Sequence, residues 1–181
     1  MKKALGLILT GLLVFGLAGC SGESATSSSS EQNTPKQETS QNTPKQETSF
    51  KLGETWTVDG QWSITMDSVV ETKDRNPYSE KNPAAVYILD YTYENIGYED
   101  KSGIMDGLFI SPDEIVIDSA GVMGYSYPGD IVHYATETPV GATCKAQVCI
   151  GVDNPGDFKV QIVKFDGNGK KQQAEFLITV D

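Results

Sequence analysis

Histidine and cysteine are scarce in this chain of 181 residues, which has one histidine and three cysteines. With His133 as the sole imidazole, the sequence offers few candidates for a general base or a zinc ligand. We therefore expect no catalytic residue, no metal-binding residue and no cofactor. After residue 50, no stretch has the apolar periodicity of a helix longer than about 12 residues, the length at which an isolated helix becomes more than marginal.

Clustered basic residues are also missing. The formal net charge is −11. The four lysines before residue 50 cancel the four glutamates there, so residues 50–181 carry the whole negative excess. Because an acidic surface repels phosphate backbones and anionic lipid headgroups, we expect no nucleic-acid partner.

The first 20 residues have the three parts of an export signal. Two lysines precede an uncharged, Leu- and Gly-rich run at residues 4–18, and the letters LAGC follow at 17–20. A spanning helix needs about 20 apolar residues, so this run is too short to be an anchor. LAGC resembles the lipobox of bacterial lipoproteins. The resemblance implies a signal peptide at residues 1–19, lipid attachment at Cys20, and a protein held by that lipid at the extracytoplasmic face of the cell membrane.

Residues 20–49 have the composition of a disordered linker. After the cysteine they contain no Leu, Ile, Val or aromatic residue, and the nine letters QNTPKQETS at 32–40 recur at 41–49. Such a segment cannot bury enough apolar surface to offset its chain entropy. As a flexible coil it would reach about 30 Å, which keeps the following domain close to the membrane.

Residues 50–181 show the alternation of an all-β domain. The clearest strand is predicted at residues 85–93, where Tyr87, Leu89, Tyr91 and Tyr93 share the face that we assign to the core. An Asp-Gly turn at 59–60 predicts a hairpin between two earlier strands. The remaining strands are predicted at 108–110, 115–117, 131–134, 143–152, 158–165 and 174–180.

Four turn and strand segments carry a resemblance to a known family. They are LGE at 52–54, DYTYENIG at 90–97, DSAG at 118–121 and PVG at 139–141. In this order they resemble a family of uncharacterised lipoprotein domains of Gram-positive bacteria, which is related to a secreted mycobacterial immunogenic antigen. The resemblance spans residues 50–181 and implies an immunoglobulin-like antiparallel β-sandwich. Because the family has no settled activity, it implies no catalytic residue.

The two remaining cysteines, Cys144 and Cys149, lie five positions apart in one predicted strand. An odd offset places their side chains on opposite faces, about 16 Å apart along the strand, whereas a disulfide needs Cα atoms within about 7 Å. We therefore predict two free thiols. Cys144 shares the core face, and Cys149 lies beside Lys145 and Gln147 on the other face. If that face is exposed to solvent, Cys149 should react faster with a thiol reagent.

Tyrosines in the stretch after Gly124 are the candidate binding residues. Tyr125, Tyr127 and Tyr134 are expected in loops or at a strand edge, where exposed aromatics stack on sugars or anchor protein partners. Alternatively, they cover the open end of the sandwich.

The sequence favours a non-catalytic interaction module of the cell envelope, with a protein or glycan partner at the cell surface. Two alternatives stay open: a small-ligand or cation-binding envelope protein that uses acidic loops, and a secreted hydrolase. The letters DGNG at 166–169 resemble the start of a calcium loop. The twelfth position there is Leu177 rather than Glu, so we expect a hairpin turn instead.

Overall fold

A computed structural model describes residues 49–180, which form nine strands and contain no helix. This part of the chain therefore contains no helix that could cross a membrane. The strands are β1 (Ser49–Lys51), β2 (Thr55–Val58), β3 (Trp62–Thr72), β4 (Ala85–Asn95), β5 (Val116–Ile117), β6 (Tyr125–Ser126), β7 (Thr143–Val152), β8 (Phe158–Phe165) and β9 (Lys171–Ile178).

The strands pair into two sheets, with orders β1-β9-β8-β5 and β2-β3-β4-β7-β6. Every pair is antiparallel except β1 with β9. The orders β3-β4-β7-β6 and β5-β8-β9 correspond to the A-B-E-D and C-F-G sheets of an immunoglobulin domain. The predicted immunoglobulin-like antiparallel β-sandwich is thus confirmed.

Aromatic side chains fill the space between the sheets. Tyr87, Leu89, Tyr91 and Tyr93 are each at most 1% exposed, as the alternation of β4 predicts. Tyr87 stacks on Phe158 of the opposite sheet at a ring distance of 5.2 Å. Burial of each such side chain stabilises the fold by about 1.5–3 kcal/mol relative to its exposure.

Two predicted strands are wrong. Leu108 forms only an isolated bridge with Thr138, and residues 131–134 form a loop in which the His133 carbonyl accepts a single bond from the Gln147 amide at 2.8 Å. Leu108 and Ile110 pack into the core without extending a sheet, whereas Val132 and Tyr134 are exposed. The hairpin is confirmed: Gly60 has a φ of 66°, and the Gln61 amide donates to the Val58 carbonyl at 2.9 Å.

The 166–170 turn marks one end of the sandwich. β1 runs parallel to β9 and therefore points away from the 166–170 turn, but it begins opposite Glu175, four positions into β9. The Gln61 side chain reaches this turn, where its Oε1 accepts a bond from the Gly167 amide at 2.8 Å. We call this the entry end. β3 starts beside it and runs to Thr72, so the β3–β4 connection lies at the opposite, far end.

Candidate functional site

A loop after β6 covers the outer face of the five-stranded sheet. The Tyr127 amide donates to the Cys149 carbonyl at 2.8 Å, and Tyr127, Val86 and Cys149 form a small buried cluster separate from the main core. A β-carbon on Gly129 would lie 2.3 Å from the Cys149 Sγ. Without a side chain at Gly129, the loop can approach β7 this closely.

A groove of about 240 Å³ lies between this loop and the β3–β4 connection. We call it the far-end groove. Asn76 joins the two walls of the groove. The backbone amide of Asn76 donates to the Tyr127 hydroxyl at 2.9 Å, and the side-chain Nδ2 donates to the Pro128 carbonyl at 3.0 Å. The lining residues are Thr72, Asp74, Arg75, Asn76, Pro77, Tyr78, Ile88, Pro128, Gly129 and Asp130.

Arg75, the only arginine of the chain, lies in this groove. Its Nη1 donates to the carbonyls of Thr72 and Asp74 at 2.8 and 2.9 Å, which holds the guanidinium in place. Within residues 49–180 the ion pairs shorter than 4.0 Å are Lys73–Glu71 and Lys159–Glu175. Arg75 therefore pairs with no described carboxylate at that distance.

Tyr78 adds an aromatic ring to the groove and is 93% exposed. Neither Tyr78 nor Arg75 was among the residues predicted from the sequence to form a site. The signal that could have found them is the unique arginine inside a stretch rich in turn-forming residues, DRNPYS at 74–79.

The three predicted tyrosines have different surroundings. Tyr127 is 4% exposed, because it fills the space beneath its own loop. Tyr125 is half-buried, with the Lys81 ammonium 4.0 Å above its ring and its hydroxyl donating to Asp153 at 3.2 Å. Burial, followed by the nearby Asp153, raises the pKa of Tyr125.

Tyr134 is the one of the three whose ring is exposed, at 68%. It shares with Tyr127 a second cleft of about 220 Å³ beside β7, while Tyr125 lies outside that cleft. The structure therefore does not gather the three tyrosines into one exposed cluster.

Both cysteines of the described chain are free, and they belong to separate clusters on opposite faces of β7. The sequence placed Cys149 beside polar neighbours and left its exposure open. It is 4% exposed, because the loop at 127–131 covers its face. Burial raises the pKa of Cys149 to about 11. Burial also raises the pKa of Cys144, but hydrogen bonds with Tyr93 and Thr136 outweigh it and bring that pKa below its ordinary value.

Several carboxylates serve the fold. Asp118 accepts bonds from the amides of Ala120 and Val122 and from both the amide and the side chain of Asn154, at 2.7–3.1 Å. Burial by itself raises the pKa of Asp118, and these bonds more than offset it, so the pKa lies below its ordinary value. This carboxylate fastens the β5–β6 turn to the β7–β8 loop.

Asp166 lies in the hairpin turn predicted between β8 and β9, where it accepts bonds from the Asn168 and Lys170 amides at 2.9 and 3.0 Å. Within residues 49–180, no three His, Cys, Asp or Glu side chains are placed to hold a metal ion. His133 lies on the exposed loop after β6.

The fold and these contacts define an immunoglobulin-like β-sandwich with a polar and aromatic groove on its outer face. No family model and no curated protein matches the chain. A crystal structure of the yjhA protein from Bacillus subtilis is similar, with 16% identity and a TM-score of 0.44. The match covers 73% of this chain and 99% of that one.

Proposed function

We propose that this protein is a lipoprotein, anchored in the cell membrane through Cys20, whose sandwich is a non-catalytic interaction module at the extracytoplasmic surface. The lipobox-like LAGC at 17–20 supports the anchor. The observation that carries the interaction role is the far-end groove, in which an exposed Tyr78 and an arginine without a carboxylate partner lie together. Tyrosine and arginine are the residue types that, with tryptophan, supply most of the binding energy at protein interfaces.

The position of the groove suits this role. The described chain begins opposite Glu175, halfway along β9, and runs away from the entry end, whereas the groove lies beside Thr72 towards the far end. A linker that approaches Ser49 from the side of the entry end would leave the groove free to face away from the membrane. With a linker reach of about 30 Å, the partner would be another component of the envelope rather than a distant one.

A protein partner fits the exposed chemistry best. Tyr78 is 93% exposed as a residue, so its ring offers apolar area for a partner to cover, and an adjacent guanidinium supplies directional hydrogen bonds. A hydrolase would need a nucleophile beside a base. In residues 49–180 both thiols are buried, whereas His133 lies on an exposed loop, so these residues do not support the hydrolase alternative.

Site-specific photocrosslinking in the source cells tests the proposal. The full chain would carry p-benzoylphenylalanine in place of Tyr78. In a matched control the crosslinker replaces Phe165, which is 59% exposed and lies at the entry end. We expect a discrete protein adduct from position 78 that position 165 does not give. No adduct, or the same adduct from both positions, would contradict the proposal.

A further inference from the structure

We infer that the far-end groove binds a peptide segment of mixed charge, whose carboxylate pairs with Arg75 and whose neighbouring ammonium group pairs with Asp130. This inference rests on the proposed function, because it specifies the chemistry of the partner segment that the groove receives.

The guanidinium of Arg75 has free hydrogen-bond donors in a fixed orientation. Of its five N–H groups, the two on Nη1 donate to the Thr72 and Asp74 carbonyls. The Nε and Nη2 groups remain and form the planar edge that binds a carboxylate through two parallel hydrogen bonds. Since the two carbonyls already hold the side chain, less conformational entropy is lost when a ligand binds.

The groove has charges of both signs. Asp74 and Asp130 line it together with Arg75, and none of these charges forms an ion pair shorter than 4.0 Å among the described residues. An anionic ligand that pairs with Arg75 also meets two carboxylates, and a cationic ligand that pairs with a carboxylate leaves the guanidinium without an ionic partner. A ligand with one group of each sign meets an attractive partner for both.

Asp130 is the better placed of the two carboxylates to receive an ammonium group. The Asp74 carboxylate is within 3.4 Å of the Thr72 hydroxyl and so contributes to its own loop. Asp130 makes no side-chain hydrogen bond within residues 49–180 and lies on the opposite wall from Arg75. A ligand that spans the groove would therefore reach both charges.

The remaining surface suits a short piece of polypeptide. Pro77, Tyr78 and Ile88 supply apolar contacts for the aliphatic parts of such a segment. The volume of about 240 Å³ is below the range of roughly 300–1,000 Å³ that is typical of sites for drug-sized ligands. Only a small part of a larger partner would enter the groove.

Nuclear magnetic resonance gives a direct test, because the only arginine yields a single Nε–H signal. The protein is the chain from residue 20 onward with Cys20→Ser, which keeps it free of lipid. The probes are acetyl-Asp-Lys-amide, acetyl-Asp-Ala-amide, acetyl-Ala-Lys-amide and inorganic phosphate. We expect a saturable shift of the Arg75 signal with acetyl-Asp-Lys-amide. Acetyl-Asp-Ala-amide should bind about threefold to tenfold more weakly, and the last two probes should produce no saturable shift.

Variants test each charge separately, with the Gly129 amide as the reporter. Arg75→Lys keeps the charge but loses the planar fork, so affinity for acetyl-Asp-Lys-amide should fall about tenfold. Asp130→Asn should abolish the preference for the lysine-containing probe. Asp74→Asn is the matched control and should retain that preference.

The inference is overturned if no carboxylate probe gives a saturable shift, if phosphate binds best, or if Asp130→Asn keeps the preference. These failures are distinguishable from failure of the proposed function. A crosslink from position 78 without probe binding leaves the interaction role intact and refutes the mixed-charge segment. Probe binding without a crosslink supports the chemistry of the groove and refutes a protein partner in the cell.

Discussion

Replacing Gly129 with alanine tests the contact that sets one wall of the groove. The new β-carbon would lie 2.3 Å from the Cys149 Sγ and 3.2 Å from its Cβ. Carbon and sulfur atoms in contact are normally separated by more than about 3.5 Å, so the loop or β7 must move. Overpacking of this kind costs about 1–3 kcal/mol. For a domain of this size we expect the melting temperature to fall by about 3–15 °C.

A double-mutant cycle identifies the cause. Cys149→Ala removes the Sγ, so the closest remaining contact is the one at 3.2 Å. This substitution alone should cost about 1 kcal/mol, because it leaves a small void. The double variant should lose less free energy of unfolding than the two single variants lose in total, by about 1–2 kcal/mol. Urea denaturation of the four proteins measures this coupling energy.

Cys144→Ala is the matched control, since Cys144 lies on the opposite face of the same strand. Combined with Gly129→Ala, it should give additive effects within about 0.5 kcal/mol. An unchanged stability of Gly129→Ala would contradict overpacking at this contact. So would a pair with Cys149 that is as additive as the pair with Cys144.

Three further predictions concern the domain and its anchor. Asp118→Ala leaves four part-buried hydrogen-bond donors without their acceptor, so it should lower the free energy of unfolding by about 1–3 kcal/mol in urea denaturation at pH 7. Because the folded-state pKa of Asp118 is lowered, its stabilising effect is present above the unfolded pKa of about 4 and lost as pH falls below it; a constant difference between wild type and variant down to pH 2 would refute this. Cys20→Ser should move the protein from the detergent phase to the aqueous phase on partitioning, and unchanged partitioning would show that the lipobox interpretation is wrong. Both remaining thiols are buried and should react far more slowly with a thiol reagent in the folded domain than in the urea-unfolded domain. In slow native labelling at pH 8, followed by mass spectrometry, Cys144 should react before Cys149, whose pKa of about 11 leaves roughly one thiolate in a thousand; the reverse order would contradict the raised pKa of Cys149, and a 144–149 disulfide would contradict the β7 assignment.

The alternation within single strands could be predicted from the sequence because it is a local property. Successive side chains of a strand point to opposite faces, so the tyrosines of residues 87–93 had to share one face whatever their neighbours. The same parity separated Cys144 from Cys149. The Asp-Gly turn at 59–60 was equally local, since glycine readily adopts the positive φ that the turn requires.

The failures of sequence analysis fall where a short apolar stretch can either extend a sheet or cover it. Residues 131–134 have the composition of a strand, yet only one carbonyl among them bonds to β7 through the backbone. The pattern could not show that the preceding loop would lie on the outer face of the sheet. That placement buries Tyr127 and Cys149.

The sequence by itself determined the all-β class, the faces of the main strands and the separation of the two thiols, because each depends on the spacing of a few adjacent residues. Only the tertiary structure decided that Arg75 and Asp130, 55 positions apart, would line one groove. Their approach depends on how β3, β4 and β7 pair, and on a glycine that allows a loop to pack against β7. The pairing of distant strands is set by the free energy of the whole core, which no local pattern contains.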